Sequence, residues 1–287
     1  MTTKILLLGH TGMLGTYVKT YFATTDIPVV CINYRVNLEE TNLIETILLE
    51  HGLDEKTCVV NCIGQIPQRT NSDQVSNYYV VNGLFPHVLS KVCKKYGANM
   101  IQPTTDCVYS GKRFTGNYVE TDIHDETGNY GVSKSVGEPP DCTVIRTSII
   151  GLELQNKKSF MEWVINSLRD GKNINCWANH HWNGITCLQY CKIIEKIVRE
   201  QLFWKGIRHI YSPVSKSKYE LAQIIAETFD LNDDLINRTL TSEPVNKTLS
   251  SIYPALFEIP DLRDQIKETY GFLLNLPLYL ASLGDSH

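Results

Sequence analysis

The stretch Lys4-Ile-Leu-Leu-Leu-Gly-His-Thr-Gly-Met-Leu-Gly15 decides the fold class. Its apolar run, Ile5–Leu8, has the length of a buried strand, and three glycines spaced GxxGxxG lead from it into a helical pattern over Gly12–Ala23. A diphosphate binds well at a helix N-terminus, where the backbone amides and the helix dipole both favour an anion. Glycine is needed there because a Cβ would block the approach. The stretch therefore predicts the first strand, loop and helix of a dinucleotide-binding fold.

Short apolar runs alternate with helical patterns over the first half of the chain. The later predicted elements are the strands Val29–Ile32, Cys58–Asn61, Met100–Pro103 and Thr143–Arg146, and the helices Leu43–Glu50, Ser76–Lys95 and one near Tyr130. Short strands that alternate with longer helices build a parallel sheet covered on both faces, and right-handed crossovers make it doubly wound. We therefore expect an α/β fold with a Rossmann-type doubly wound parallel sheet.

Helical patterns predominate after Gly151. The predicted elements are the helices Ser159–Leu168, Leu188–Gln201 and Asp261–Thr269, a helix that begins with a capping box at Ser217-Lys-Tyr-Glu220, and a candidate strand, Arg208–Tyr211, that would return to the main sheet. The second helix places Leu188, Cys191, Ile194 and Val198 on one apolar stripe. We expect a dinucleotide-binding domain over residues 1–150 and a smaller α-rich substrate lobe over residues 151–287.

Composition and charge are those of a globular protein and exclude several functions. Of 287 residues, 43% are hydrophobic and 20% charged, and 27 Lys and Arg oppose 31 Asp and Glu, for a formal charge of −4. Such a chain lacks the clustered basic residues that bind nucleic acid. No apolar run reaches the roughly 20 residues of a membrane span, and the apolar stretch within Met1–His10 is too short for a signal peptide. We therefore expect a cytoplasmic protein with no nucleic-acid or membrane partner.

The nine cysteines are too few for a disulfide scaffold, and none forms a CxxC motif. The pairs Cys58/Cys62 and Cys187/Cys191 have no further His or Cys at zinc spacing nearby. We interpret the cysteines as small buried apolar residues, and we predict no metal site.

The residues after the second predicted strand indicate which dinucleotide binds. An acidic residue there would hold the 2′-hydroxyl of the adenosine ribose, whereas this chain has Asn33-Tyr34-Arg35. A guanidinium suits a 2′-phosphate by its charge and forked geometry, so Arg35 favours NADPH over NADH; a solvated surface arginine is the alternative. The predicted cofactor-binding residues are Gly9, Thr11, Gly12, Met13, Leu14, Gly15, Arg35, Asn37, Leu38, Cys62, Ile63, Gly64, Tyr130 and Lys134.

Tyr130 and Lys134 form a YxxxK motif, which places both side chains on one face of a helix. A phenol has a pKa near 10, so we expect the ammonium of Lys134 to lower the pKa of Tyr130. Thr105 follows the fourth predicted strand, where its hydroxyl can hydrogen-bond a substrate carbonyl. A glycine loop, a strand-end threonine and YxxxK in this order predict a hydride-transfer site; an exposed helical pair is the alternative for YxxxK alone.

These motifs resemble the extended short-chain dehydrogenase/reductases and, among them, the dTDP-4-dehydrorhamnose reductase family. The resembling segments are Gly9–Gly15, Asn61–Gly64, Thr104–Gly111, Tyr130–Glu138 and Val144–Ser148, with weaker similarity over Trp182–Thr186 and Ile210–Phe229. The resemblance implies NADPH-dependent reduction of a nucleotide-linked 4-keto-6-deoxy-L-hexose in deoxysugar biosynthesis. It implies that Thr105 polarises the C4 carbonyl, that Tyr130 donates the proton, and that Lys134 binds the nicotinamide ribose. It also implies a nucleotide-sugar partner and, as among many relatives, a candidate homodimer.

Two positions depart from the pattern of these reductases. Cys107 stands where they usually have an aromatic residue, and Ile149 where they have a Trp. Cys107 is similar instead to the acid/base cysteine of bifunctional epimerase/reductases. An intrinsic 3- or 3,5-epimerase activity is therefore one alternative, and a cysteine that only packs against the sugar is the other. The predicted substrate-binding residues are Thr105, Cys107, Ile149 and Trp182.

An epimerase would need a second acid/base group. Helix Ser159–Leu168 has Phe160 and Trp163 where such enzymes place a His or Lys, and the remaining candidates are Lys157, Lys158, Glu162 and His181. An alternative from another class is a non-catalytic NADP-binding regulatory or sensor protein, although such members have generally lost the Tyr or Lys that this chain keeps. Pro139-Pro140 is a further departure, because it ends the catalytic helix early.

Overall fold

The computed structural model describes residues 2, 4–37, 43–67, 75–153 and 159–276. In chain order the strands are β1 (Lys4–Leu8), β2 (Val29–Ile32), β3 (Thr57–Asn61), β4 (Asn99–Thr104), β5 (Thr143–Arg146), β6 (Ile149–Ile150), β7 (Ile174–Trp177), β8 (His180–Trp182), β9 (Ile185–Thr186), β10 (Gly206–His209), β11 (Lys216–Ser217), β12 (Ile236–Thr239) and β13 (Val245–Asn246). The helices are α1 (Met13–Phe22), α2 (Leu43–Glu50), α3 (Val75–Tyr78), α4 (Phe85–Lys95), α5 (Asn129–Val136), α6 (Phe160–Arg169), α7 (Cys187–Glu200), α8 (Lys218–Thr228) and α9 (Leu262–Leu274). A π-helical turn, Tyr79–Leu84, joins α3 to α4.

A six-stranded parallel sheet organises the molecule, in the order β10-β5-β4-β3-β1-β2. Successive side chains of β1 enter opposite cores: Ile5 and Leu7 pack on one face of the sheet, and Leu6 and Leu8 on the other. Because both faces are buried, the strand has an uninterrupted apolar sequence. The chain leaves β1 for β2 on one side and returns to β3 on the other, which confirms the doubly wound fold.

The predicted elements of the first half agree closely with the structure. β2, α2 and β5 have the predicted bounds, and β1, β3 and β4 extend by one residue at one or both ends. The predicted helix Ser76–Lys95 is helical throughout but contains the π turn, which apolar periodicity does not reveal. Helix α5 ends before Pro139-Pro140, as these prolines require.

Residues after Gly151 both complete the sheet and form a smaller lobe. The predicted strand Arg208–Tyr211 corresponds to β10, which begins two residues earlier and pairs with β5. Helix α7 packs against α1, and its predicted apolar stripe is buried. The lobe combines α6, α8 and α9 with the short strands β7 to β9 and β11 to β13. Its helix α8 begins with the predicted capping box of Ser217 and Glu220. Among the described residues, no helix has the length and apolar character needed to cross a membrane.

Candidate active site

A cavity of about 420 Å³ opens at the carboxyl ends of β1, β3, β4 and β5. This is the point at which the strand order reverses, where doubly wound sheets bind their ligands. Eleven predicted site residues line it: Gly12, Met13, Leu14, Cys62, Ile63, Gly64, Thr105, Cys107, Tyr130, Lys134 and Ile149. The fold therefore brings the predicted cofactor and catalytic residues into one cleft.

The glycine loop has the backbone geometry that close approach of a diphosphate requires. Gly9 has a φ of 73°, and a Cβ on it would lie 2.5 Å from the carbonyl carbon of Cys62. A Cβ on Gly15 would lie 2.1 Å from the carbonyl oxygen of Gly9. Gly12 lines the cavity, and a Cβ on it would have its nearest described neighbour, the carbonyl oxygen of Gly9, 3.5 Å away. Since α1 has no side-chain cap within the described chain, its first amides are available to an anion.

The remaining predicted cofactor residues lie outside the cavity as described. Thr11 is exposed in the loop, and Arg35 and Asn37 are exposed after β2, the strand next to β1. None of these three belongs to the described lining of the cavity. Leu38 lies outside the described residues. The contact of Arg35 with a 2′-phosphate stays a prediction.

Thr105 and Tyr130 both line the cleft. Thr105 directly follows β4, and its Oγ1 accepts a hydrogen bond from the backbone N–H of Cys107 at 3.1 Å and lies 3.2 Å from Oδ1 of Asp106. Burial, followed by the neighbouring Cys107, raises the pKa of Tyr130, and a hydrogen bond with Thr105 opposes this shift. The expected lowering of this pKa is therefore wrong, because burial disfavours the phenolate. Tyr130 is a protonated phenol at neutral pH, as a proton donor must be.

Lys134 follows Tyr130 by one helical turn, and its ammonium lies over the backbone of Gly64. A Cβ on Gly64 would lie 3.1 Å from the Lys134 Nζ, so glycine leaves room for the ammonium. Burial lowers the pKa of Lys134 to about 8, and Glu138 and Cys62 oppose the shift. The charge is thus held between α5 and the end of β3, and the family resemblance implies that Lys134 contacts the nicotinamide ribose.

The π turn fixes the position of the catalytic helix α5. Asn82 lies in this turn and is buried; its Nδ2 donates to the Gln65 carbonyl at 2.9 Å and to the Ser133 Oγ at 3.2 Å. Gly137 completes the contact, since a Cβ on it would lie 1.6 Å from the carbonyl oxygen of Asn82. The sequence analysis did not identify Asn82, because its role depends on the π turn.

A buried arginine anchors the residues just after α5. Arg146 ends β5, and Glu138 accepts hydrogen bonds from its Nε at 3.0 Å and its Nη2 at 2.6 Å. The other guanidinium hydrogens point to the Tyr109 hydroxyl at 2.6 Å, to the Nε2 of His209 at 2.9 Å and to the Nε2 of His124 at 2.8 Å. All five guanidinium hydrogens therefore have an acceptor, and the acceptor nitrogens require both histidines to be neutral.

His209 is held in this neutral form from both sides. Its Nδ1 lies 2.7 Å from the Ser250 carbonyl oxygen and 3.1 Å from that of Tyr118, so Nδ1 carries the hydrogen. Burial, followed by the charge of Arg146, lowers the pKa of His209 to about 4. The sequence offered no signal for this cluster, because its members come from distant segments.

The predicted substrate-binding residues divide between the cavity and the lobe. Cys107 and Ile149 line the cavity, whereas Trp182 is buried in the lobe outside the described lining. Burial, followed by the neighbouring Asp106 carboxylate, raises the pKa of Cys107 to about 11, so its thiol is protonated at neutral pH. Cys31, Cys62 and Cys107 are partly exposed, and the other six cysteines are buried, as interpreted from the sequence.

The structure describes four of the six residues considered for a second acid/base group, and they lie on α6 and β8. Lys157 and Lys158 are outside the described residues. Glu162 is buried within electrostatic range of Tyr17, on the core side of α6. Phe160 and Trp163, which occupy the positions of interest, pack on each other with ring centroids 5.7 Å apart. His181 lies on β8 in the lobe. Among the described residues, none of these candidates contacts Cys107. The structure therefore gives no support to a two-sided epimerase.

Six polar residues that line the cavity are absent from the predicted site residues: Asn61, Thr104, Thr147, Ser148, Glu153 and Tyr190. The Thr104 Oγ1 and the Tyr190 hydroxyl are buried without a hydrogen-bond partner in the part of the chain that the structure describes. Buried polar atoms of this kind are satisfied by a ligand or by water. A polar cofactor therefore fits the cleft both at the glycine loop and at its floor.

Comparisons with known proteins agree with this geometry. Residues 3–256 match the family model described as RmlD substrate binding domain. The chain is 25% identical over 264 residues to the spore coat polysaccharide biosynthesis protein SpsK of Bacillus subtilis, covering 88% of this chain and 89% of that protein. It is 26% identical over 198 residues to the dTDP-4-dehydrorhamnose reductase of Aggregatibacter actinomycetemcomitans, covering 65% of each.

Solved structures share the fold at lower identity. The dTDP-4-dehydrorhamnose reductase of Clostridium acetobutylicum superposes with a TM-score of 0.79 at 20% identity, covering 94% of this chain and 99% of that one. The dTDP-4-dehydrorhamnose reductase of Bacillus anthracis, solved in complex with NADP, has a TM-score of 0.79 at 16% identity and the same coverage. At these identities the structural comparison supports the architecture alone.

Proposed function

This chain belongs to the RmlD substrate binding domain family, and from that membership we propose that it is an oxidoreductase of the dTDP-4-dehydrorhamnose reductase type. Its reaction is the NADPH-dependent reduction of the 4-ketone of a nucleotide-linked 4-keto-6-deoxy-L-hexose. The observation that carries the proposal is the single cavity that unites Gly12 of the diphosphate loop with Thr105, Tyr130 and Lys134. Residues 1–150 supply the cofactor-binding part, and the lobe after residue 151 holds the sugar nucleotide.

NADPH is the cofactor that a solved reductase relative and the exposed Arg35 favour together. A relative with the same fold was solved with NADP, and the exposed Arg35 follows the strand next to the glycine loop. The first amides of α1 would hold the diphosphate, and Lys134 would hold the nicotinamide ribose beside Gly64. When bound, the nicotinamide supplies the hydride.

Thr105 and Tyr130 would hydrogen-bond and protonate the oxygen of the ketone. Both residues line the same cavity and interact with each other, so we propose that both hydroxyls reach one carbonyl oxygen. Thr105 donates a hydrogen bond that polarises the carbonyl, and Tyr130 transfers a proton to that oxygen as it becomes an alcohol. The raised pKa of Tyr130 keeps the proton available at neutral pH.

A reductase that relies on a separate epimerase is the form we favour. The Cys107 thiol stays protonated because burial raises its pKa to about 11, and a base must instead be deprotonated to remove a proton from carbon. The described second-group candidates do not contact Cys107. We therefore assign Cys107 to packing against the sugar.

The test follows NADPH absorbance with enzymatically generated dTDP-4-keto-6-deoxyglucose, with and without a 3,5-epimerase. We expect consumption of NADPH when the epimerase is present. Tyr130→Phe should lower turnover by about 10²-fold or more and still bind NADPH, since a positioned acid contributes roughly 10²–10⁴. Tyr253→Phe is the matched control, because this exposed tyrosine lies outside the described lining of the cavity.

The possible results separate the classes of function. Consumption without the epimerase points to a bifunctional enzyme or to direct reduction of the D-sugar. No consumption in either mixture favours the non-catalytic NADP-binding protein. Wild-type turnover by Tyr130→Phe would show that the reduction uses another proton donor.

A further inference from the structure

Lys218 is a cation that rests on two aromatic rings. It is the first residue of α8, and its Nζ lies 4.8 Å from the ring centroids of both Phe160 and Trp182. Within the described chain it makes no hydrogen bond and no ion pair. Ring faces attract a cation but leave its charge in place. The side chain is thus held on the two rings without a direct ion pair within the described chain.

Neighbouring lysines of the lobe are paired. The Nζ of Lys216 lies 3.6 Å from the carboxylate of Asp261, and that of Lys247 lies 3.6 Å from the carboxylate of Glu126. Lys218 differs from both in having no carboxylate within this distance. The ammonium of Lys218 is therefore able to pair with an anion from outside the described chain.

Trp182 adds a second unsatisfied donor to the same group. It is 5% exposed, and its indole N–H is buried without a partner among the described residues. A Cβ on Gly184 would lie 2.1 Å from the Cζ3 of Trp182, so glycine lets the ring pack closely at that edge. The ring is fixed by packing, which in turn fixes the ammonium on its face.

The charge of Lys218 also acts on residues at the catalytic end of the cleft. It interacts electrostatically with Asp106 and Cys107, the two residues directly after Thr105, and with Cys176 on β7. Burial lowers the pKa of Lys218, and a cation at a helix N-terminus opposes the helix dipole. Both costs would be offset by a bound anion beside the ammonium.

We propose that Lys218, seated on Phe160 and Trp182, binds the diphosphate of the sugar nucleotide. The inference rests on the proposed function and adds the residue that recognises the charged part of the substrate. With C4 held between Thr105 and Tyr130, C1 lies on the opposite side of the sugar ring. In this proposal the diphosphate attached to C1 extends from the catalytic centre toward Lys218, whose charge interacts with Asp106 and Cys107. An ammonium pairs more strongly with a phosphate than with neutral sugar hydroxyls.

The test compares Lys218→Met, which removes the charge and keeps a long apolar side chain, with Lys216→Met. The control lysine lies two residues earlier and is already paired with Asp261. Calorimetric titration with dTDP, dTMP and NADP⁺ measures phosphate recognition apart from catalysis, and steady-state kinetics supply KM and kcat. Lys218→Met should weaken dTDP binding about tenfold or more and narrow the preference for dTDP over dTMP. It should raise KM with little change in kcat or in NADP⁺ binding. Lys218→Arg, which keeps the positive charge, should retain part of the wild-type affinity for dTDP.

Several results would overturn the inference. These are wild-type dTDP affinity in Lys218→Met, an equal loss in Lys216→Met, or a parallel loss of NADP⁺ binding. Failure of the wild-type chain to bind dTDP, UDP or GDP would overturn it as well. The proposed function is tested separately by NADPH consumption. If the wild type consumes NADPH and Lys218→Met binds dTDP as tightly as the wild type, this inference alone is refuted.

Discussion

Replacing His209 with glutamine should reduce the loss of stability that the protein suffers on acidification. His209 has one nitrogen toward the Ser250 carbonyl and the other 2.9 Å from the Arg146 guanidinium. A glutamine amide can donate to the first and accept from the second, so His209→Gln keeps the polarity of the site and removes its titration. Protonation of the histidine would instead place a hydrogen and a positive charge against the arginine.

The magnitude follows from the pKa of the folded state. That pKa is about 4, whereas an unfolded chain has a histidine pKa near 6.5. The unfolded state therefore binds the proton first as the pH falls. Stability is fully present above pH 6.5 and is lost progressively toward pH 4. Integration over the interval from pH 7 to pH 5 gives a loss of about 2 kcal/mol.

Urea unfolding of the wild type and the variant at pH 7 and pH 5 measures the difference. The wild type should lose about 2 kcal/mol more than His209→Gln over this interval. His51→Gln, at an exposed position distant from the cluster in sequence, should keep the wild-type pH dependence. Equal losses in the wild type and His209→Gln would refute the assignment of a neutral, buried His209.

Three further changes test the cofactor, the sugar site and the seat of the catalytic helix. Arg35→Ala should raise the dissociation constant of NADPH about tenfold or more, a loss near 1.4 kcal/mol, and leave NADH binding nearly unchanged in fluorescence titrations; equal effects would remove the case for the 2′-phosphate. With NADP⁺ present, the wild type should take up no solvent deuterium at C3 or C5 of the 4-keto sugar, and uptake that Cys107→Ser abolishes would reveal an epimerase. Gly137→Ala puts a Cβ 1.6 Å from the Asn82 carbonyl oxygen and should destabilise the fold by about 1–3 kcal/mol in thermal unfolding; unchanged stability would contradict the close contact.

The sequence was most informative where function depends on residues close together in the chain. The glycine loop requires only a strand, three glycines and a helix, and the structure places Gly12 at the cavity. Tyr130 and Lys134 are one helical turn apart, so their shared face also follows from spacing. Burial of the strands was predictable for the same reason, because a short apolar run between two helical patterns indicates a buried strand.

Features that depend on contacts between distant segments could not be predicted in this way. Arg146 meets His209 across 63 residues, and Tyr109 meets His209 across 100. Tyr190 on α7 lines the cavity, and Lys218 on α8 lies on the rings of Phe160 and Trp182. Neither residue belongs to a recognisable sequence motif. The pKa of Tyr130 was misjudged because burial, which spacing does not report, outweighs any effect of a nearby charge.

The sheet is completed by β10, which the chain supplies only after passing through much of the lobe. Helix α7 covers the same sheet and contributes Tyr190 to the floor of the cleft. An exchange of everything after residue 151 for the corresponding part of another enzyme would therefore remove an outer strand, a covering helix and part of the cavity wall together. Under the proposal for Lys218, a change at the start of α8 would alter substrate recognition and leave β10 and α7 in place. The second half of the chain is therefore part of the same structural unit as the cofactor-binding sheet and not an independent module.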